Sequence, residues 1–222
     1  MPVAYTAVSR ILDSERIVLR RKFALIAATF AACIAGAAAL ATEQSSSGEE
    51  SRLASDEKAR TYFTNLEVID QDGRRLRFYD DVLKGKVVAI NFIFTNCQGA
   101  CPLMTRQLTL VRDMLGADVG EKVNFVSISI DPIRDTPSAL KQFAETHDAD
   151  QGGWTFLTGD PDNLERIVKK LGQYSDEVEA HSTLLLAANV RTAHWTKIPP
   201  NVPPNGVAQR LRVLVEEDAG AD

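Results

Sequence analysis

The pattern of apolar and polar positions divides the chain into three stretches. From Phe23 to Ala41 runs FALIAATFAACIAGAAALA, 19 residues without a charge and preceded directly by Arg20-Arg21-Lys22. A spanning helix needs about 20 apolar residues, and a basic flank stays on the cytoplasmic side. The run therefore predicts a membrane anchor or export signal over 23–41, with residues 1–22 cytoplasmic and the remainder across the membrane. Ala39-Leu40-Ala41 is also a small-x-small pattern that a signal peptidase could cut, but 22 residues ahead of the run are long for a signal peptide and favour the anchor. Either way the expected location is an inner membrane with the soluble domain in the periplasm. Cys33 lies inside this run and reads as a small membrane-embedded thiol.

Residues 42–59 (TEQSSSGEESRLASDEKA) show no apolar periodicity and read as a polar linker. A folded domain is expected over 60–222. Short strand-like pieces at Leu66 to Ile69 and Leu76 to Phe78 flank Asp72-Gly73, a strong hairpin turn signal. Lys86 to Phe94 (KVVAINFIF) is continuously apolar, β-branched and aromatic, the pattern of a central strand buried on both faces. Proline fits the first turn of a helix, so Pro102 predicts a helix, carried by Leu103, Leu108, Val111 and Leu115 and closed by Gly116. Val123 to Ile130 is the next strand, and Thr136-Pro137 opens a helix to about Thr146. A strand at Trp154 to Leu157, a helix from Asp160-Pro161 to Gly172 and a strand at Thr183 to Ala188 follow. Arg191 to Lys197 is its hairpin partner, and Val207 to Glu217 is a last helix after NVPPNG.

A hairpin, then βαβ, then mixed α and antiparallel β elements predicts an α/β fold, the thioredoxin-like α/β/α sandwich with an N-terminal β-hairpin. Composition adds exclusions. Of 25 Lys and Arg and 30 Asp and Glu, five and two respectively lie in the first 41 residues, leaving 20 against 28 in the rest. A domain at net −8 without basic clusters offers no footprint for nucleic acid. Phosphate-loop and dinucleotide glycine motifs are missing from the sequence.

The candidate chemistry is Cys97 and Cys101, between a buried strand and the helix opened near Pro102. A helix N-terminus favours thiolate over thiol, and the thiolate is the form that attacks disulfides and binds metals. The carboxyl edge of the sheet is also where α/β proteins place their sites. The C-x-x-x-C spacing is one residue wider than the usual redox pair. It is compatible with an inert disulfide, a redox-active dithiol, or two sulfurs converging on one soft metal ion, for which thiolates select Cu(I) and an added imidazole supports Cu(II). Structural zinc needs four protein ligands, more than the pair supplies. A peroxidatic loop is disfavoured because no proline lies between Lys84 and Cys97.

Three histidines remain. His181 precedes the strand STLLLAA, at the strand entry that faces the cysteine loop in a thioredoxin-like order, and could supply a third ligand; a solvated edge histidine fits the spacing as well. His147 ends a helix, where a cation suits the helix C-terminus. His194, beside Trp195, reads as structural.

Together FIFTNCQGACP, SISIDPIRDTP and AHSTLLL resemble the Sco family (Sco/SenC) of thioredoxin-like copper chaperones that assist cytochrome c oxidase assembly. The resemblance spans about Phe63 to Ala188. It implies Cys97 and Cys101 as copper thiolates that can also cycle through a disulfide, His181 as the nitrogen ligand, and copper as Cu(I) or Cu(II). Asp131, in the D-P motif, is implied as an acid that positions the copper loop; an Asp before Pro132 is equally a good turn former. The implied partners are the copper-bearing subunit of cytochrome c oxidase, other copper chaperones and thioredoxin-like reductants. The resemblance makes the chain a copper carrier, with membrane-tethered thiol-disulfide reductase as the alternative. Two departures stand out: Gln98 occupies a position where many members carry proline, and Ala188-Asn189-Val190-Arg191 replaces the usual D-P-x-G hairpin.

Overall fold

A computed structural model describes residues 56–177 and 183–219. The expected anchor over 23–41, most of the linker and His181 lie outside the described residues. Among the described residues no helix is long and apolar enough to cross a membrane.

The elements are helical residues 56–63 (α1), β1 (Glu67–Asp70), β2 (Arg75–Arg77), β3 (Val87–Ile93), α2 (Ala100–Leu115), β4 (Val123–Ser129), α3 (Pro137–Thr146), β5 (Trp154–Thr158), α4 (Pro161–Lys170), β6 (Leu185–Asn189), β7 (His194–Ile198) and α5 (Pro204–Ala219). The seven strands form one sheet in the order β2-β1-β5-β4-β3-β6-β7. β3, β4 and β5 pair in parallel, while β1, β2, β6 and β7 join antiparallel. The central position expected of the KVVAINFIF run is observed: every residue of β3 is buried.

Alternation along the strands explains the layers. Val87, Ala89 and Ile93 face one apolar cluster with Leu108, Val111 and Leu115 of α2, Leu140 and Phe143 of α3, and Leu211 and Leu214 of α5. Val88, Ile90 and Phe92 face the other, with Leu164, Ile167 and Val168 of α4 and the π-helical turn Phe78–Leu83. This is the expected sandwich, with helices on both faces of a mixed sheet.

Two elements escaped the sequence pattern. The π-helical turn packs Phe78, Tyr79, Val82 and Leu83 against the sheet directly after β2, in a segment too short to show helical periodicity. Helix α1 occupies residues that read as polar. It is held by its last turn, where Phe63 stacks on Trp195 with ring centroids 4.8 Å apart.

Helix starts follow their local chemistry. Thr136 caps α3 by accepting the Ala139 N–H at 3.2 Å, with Pro137 in the first turn. Asp160 does the same for α4 through the Asn163 N–H. Helix α2 starts at Ala100 rather than Pro102, since a proline anywhere in the first turn deletes an N–H that has no helical partner. That shift puts Cys101 inside the helix and leaves Cys97 in the loop before it. Gly116 ends α2 at φ +59°, a conformation costly for any residue with a Cβ.

Candidate metal and dithiol site

Both cysteines are thiols, and the chain treats them differently. Cys97 is partly exposed, in a turn closed by its own N–H on the Phe94 carbonyl at 3.1 Å. Gly99, the residue before α2, supplies no side chain to cap the helix. The Cys97 sulfur fills that role, accepting the Cys101 backbone N–H at 3.4 Å. Partial burial pushes the Cys97 thiol up, but the backbone N–H groups of Cys101 and Gly99, the Cys101 thiol and the Ala100 N–H together outweigh it, and the net value lies below the ordinary thiol range.

Cys101 is buried, with 1% of its surface exposed. Burial pushes its thiol up to about 12; a backbone hydrogen bond with Phe94 opposes the rise, while Cys97 and Asp135 add to it. The pair is therefore one partly exposed, thiolate-prone sulfur beside one buried, protonated sulfur. A narrow cleft lined by Asn91, Ala100, Cys101, Met104 and Thr183 adjoins Cys101.

Asp131 follows the end of β4, where its N–H donates to Ser129 Oγ at 3.1 Å. Its backbone carbonyl accepts the N–H groups of Arg134 and Asp135, closing a turn, and its carboxylate accepts Arg134 Nη1 at 2.8 Å. It lines a groove of about 250 Å³ with Pro161, Leu164 and Tyr174. His147 caps the end of α3 through its backbone and packs its ring on Phe143 with centroids 4.4 Å apart, as a structural histidine should. His194 Nδ1 lies 2.9 Å from both carboxylate oxygens of Glu217, which ties β7 to α5.

The structure also brings to the site a residue that the sequence reading passed over. Asp135 is 1% exposed, and its carboxylate accepts hydrogen bonds from Thr95 at the start of the cysteine loop and from Ser129 at the end of β4. It stood in the quoted SISIDPIRDTP segment. It lies four residues from Asp131 and just before a helix start, where nothing local marks it as part of the cysteine loop's support. Deeper in the same layer Ser127 donates to Asn91 at 2.7 Å and accepts Trp154 Nε1 at 2.9 Å, which fills the sheet beneath the site with hydrogen-bonded polar groups.

Chemically, two sulfurs at a helix N-terminus suit thiol exchange or a soft metal ion. Among the described residues no group of three or more His, Cys, Asp or Glu could hold a metal, so a third ligand of those types would have to come from outside them, where His181 lies.

Comparison with known proteins gives concordant results. The family profile described as SCO1/SenC matches residues 54–216. A SCO1 protein homolog of Bacillus subtilis is 40% identical over 90 residues, which is 40% of this chain and 45% of that protein. The chain spans about half the length of the curated relatives it matches. Among solved structures, Bradyrhizobium japonicum ScoI with copper bound superposes with a TM-score of 0.57 at 26% identity, covering 67% of this chain and 96% of that one. BsSco, described with a disulfide switch and as a member of the Sco family of cytochrome c oxidase assembly proteins, gives a TM-score of 0.58 at 26% identity, covering 69% and 93%.

Proposed function

The chain belongs to the SCO1/SenC family, and from that premise we propose that it is a copper metallochaperone, a carrier that delivers copper to the dinuclear copper site of cytochrome c oxidase. Cys97, Cys101 and His181 hold the ion as cargo. Residues 23–41 tether the domain 60–222 to the inner membrane so that it works in the periplasm, with the copper-bearing subunit of the oxidase as recipient. The observation that supports this most is the Cys97 sulfur at the N-terminus of α2, accepting the Cys101 backbone N–H at 3.4 Å, an environment that favours the thiolate. Such a sulfur is a ready Cu(I) ligand, and ligand exchange with the recipient's thiolates needs no bond-making beyond the metal's coordination. Copper draws in the second sulfur by displacing the proton of Cys101, because metal binding and thiol deprotonation are coupled.

The copper reading is tested by titrating the reduced full chain with Cu(I) and Cu(II) beside Cys97→Ser, Cys101→Ser and His181→Ala. One equivalent bound by the parent, loss of Cu(I) binding in either serine variant, and loss of the sulfur-to-Cu(II) absorption in His181→Ala are expected. A parent that binds no stoichiometric copper ends the proposal.

A second reading, thiol-disulfide reductase, is favoured by the inequality of the two thiols. Thiolate Cys97 attacks a substrate disulfide to form a mixed disulfide and release one substrate thiolate. Cys101 then gives up its proton, attacks the Cys97 sulfur and expels the second substrate thiolate, so two electrons pass to the substrate. This path needs both cysteines and not His181. Full rescue of oxidase assembly by His181→Ala would select it over copper delivery.

A further inference from the structure

Where β3 and β4 diverge, one buried carboxylate holds the start of the cysteine loop. The last ladder bond between the two strands runs from the Ile130 N–H to the Ile93 carbonyl at 3.0 Å. One residue past the strand-exit residue Phe94, the Thr95 N–H has left the ladder and would lack a strand partner. Asp135 Oδ1 takes that N–H at 3.0 Å and the Thr95 hydroxyl at 2.6 Å, and Oδ2 takes the Ser129 hydroxyl at 2.6 Å. Ser129 Oγ in turn accepts the Asp131 N–H at 3.1 Å.

A carboxylate that is 1% exposed is costly to bury unless hydrogen-bonded, and these three donors supply the compensation, with no salt-bridge cation among the described residues. Nothing in the sheet or in α3 requires an acid here, because α3 already has Thr136 as its cap. The carboxylate's contacts instead converge on Thr95, two residues before Cys97, whose N–H closes the next turn on Phe94.

We infer that Asp135 is the positioning residue of the Cys97–Cys101 loop: by gripping both donors of Thr95 against Ser129 it fixes where the loop leaves the sheet, and so how closely the two sulfurs approach. The inference rests on the reading of Cys97 and Cys101 as a working pair. Asp131, four residues earlier, is tied to Arg134 and the turn. Without the grip the loop samples more conformations, the effective concentration of one sulfur at the other falls, and both the disulfide and a two-sulfur Cu(I) complex weaken.

The test is the reduction potential of the pair in the full chain, equilibrated with glutathione, where the two thiols lose two electrons and two protons to oxidised glutathione. Asp135→Asn keeps the shape but lacks the charge. It is expected to lower the disulfide-forming equilibrium constant about tenfold, a shift of about 30 mV to less negative potential for a two-electron couple. Thr95→Val removes the hydroxyl and keeps the carboxylate, so it should move the potential part of the way in the same direction; Thr95→Ser retains both donors and should restore the parent value. Should Asp135→Asn fail to fold, the Thr95 pair decides alone. Unchanged potentials across the series, with only the melting temperature lowered, overturn the inference. Shifted potentials in a chain whose parent binds no copper uphold it and end the copper reading instead.

Discussion

The backbone N–H of Cys101 points at the sulfur of Cys97 across 3.4 Å, so the second cysteine of the pair helps to ionise the first. The wider spacing makes this possible. With three residues between the cysteines, α2 begins inside the motif, and the N–H groups at its start turn toward Cys97 while Cys101 is carried under the loop into the core. One sulfur becomes the accessible nucleophile or first ligand, and the other a protonated reserve.

Alkylation should expose that inequality. In the reduced chain, iodoacetamide modifies Cys97 well before Cys101 at neutral pH. The rate for Cys101→Ser, which retains Cys97, should inflect below the ordinary thiol value of 9.0. Cys97→Ser, which retains the buried thiol, should react slowly throughout. Equal rates in the two variants would contradict the assignment of the exposed sulfur as the thiolate.

The two thiols also act on stability with opposite sign. The folded Cys101 keeps its proton to about pH 12, whereas the unfolded thiol loses it near 9.0, so between those values the unfolded state binds fewer protons and stability falls as pH rises. Tyr79, whose hydroxyl burial pushes from 10.0 to about 12, adds a decline of the same sign at the upper end of that window. Cys97 contributes stability that is fully present above 9.0 and is lost as pH falls through its lower folded value. Urea unfolding under reductant should show stability decreasing above pH 9, and Cys101→Ser should flatten the part of the decline that precedes Tyr79.

The strands and their burial were legible because alternation and β-branched runs are local signals. KVVAINFIF announced a strand buried on both faces, and Thr136-Pro137 and Asp160-Pro161 announced helix starts. The grip of Asp135 on Thr95 was not, since it joins residues 40 apart in the chain. Asp131 and Asp135 look alike in SISIDPIRDTP, and only the turn between them sends one carboxylate to Arg134 and the other under the loop. Likewise α2 could not be started at Ala100 from sequence, because the acceptor at its N-terminus is a sulfur three residues upstream of it rather than an Asp, Ser or Thr.

Ser127 provides a stability test separate from the sulfurs. It sits between Asn91 and Trp154, donating to one and accepting from the other in a fully buried position. Asn91 Nδ2 already has no partner among the described residues. Ser127→Ala would strand the indole N–H and take from the Asn91 carbonyl oxygen its Ser127 donor, at a cost of about 1–3 kcal/mol for each group left unpaired. Denaturant unfolding should show that loss, while the alkylation rate of Cys97 stays at the parent value. A change in stability of only a few tenths of a kcal/mol would mean that the network carries little of the core's energy.

Gln98 separates this chain from relatives with proline after the first cysteine, and the site geometry indicates what the difference does. The N–H groups that stabilise the Cys97 thiolate belong to Gly99, Ala100 and Cys101, so a proline at position 98 would delete none of them. The side chain at 98 is exposed, and its φ is not positive. Proline there also restricts Cys97 to extended conformations, which narrows the unfolded loop's freedom. Gln98→Pro should therefore raise stability by about 0.4–1 kcal/mol and tighten Cu(I) binding a few-fold through preorganisation, with no change in the Cys97 alkylation inflection. A variant that binds copper more weakly would show that the loop must flex at residue 98 to bring the two sulfurs onto one ion.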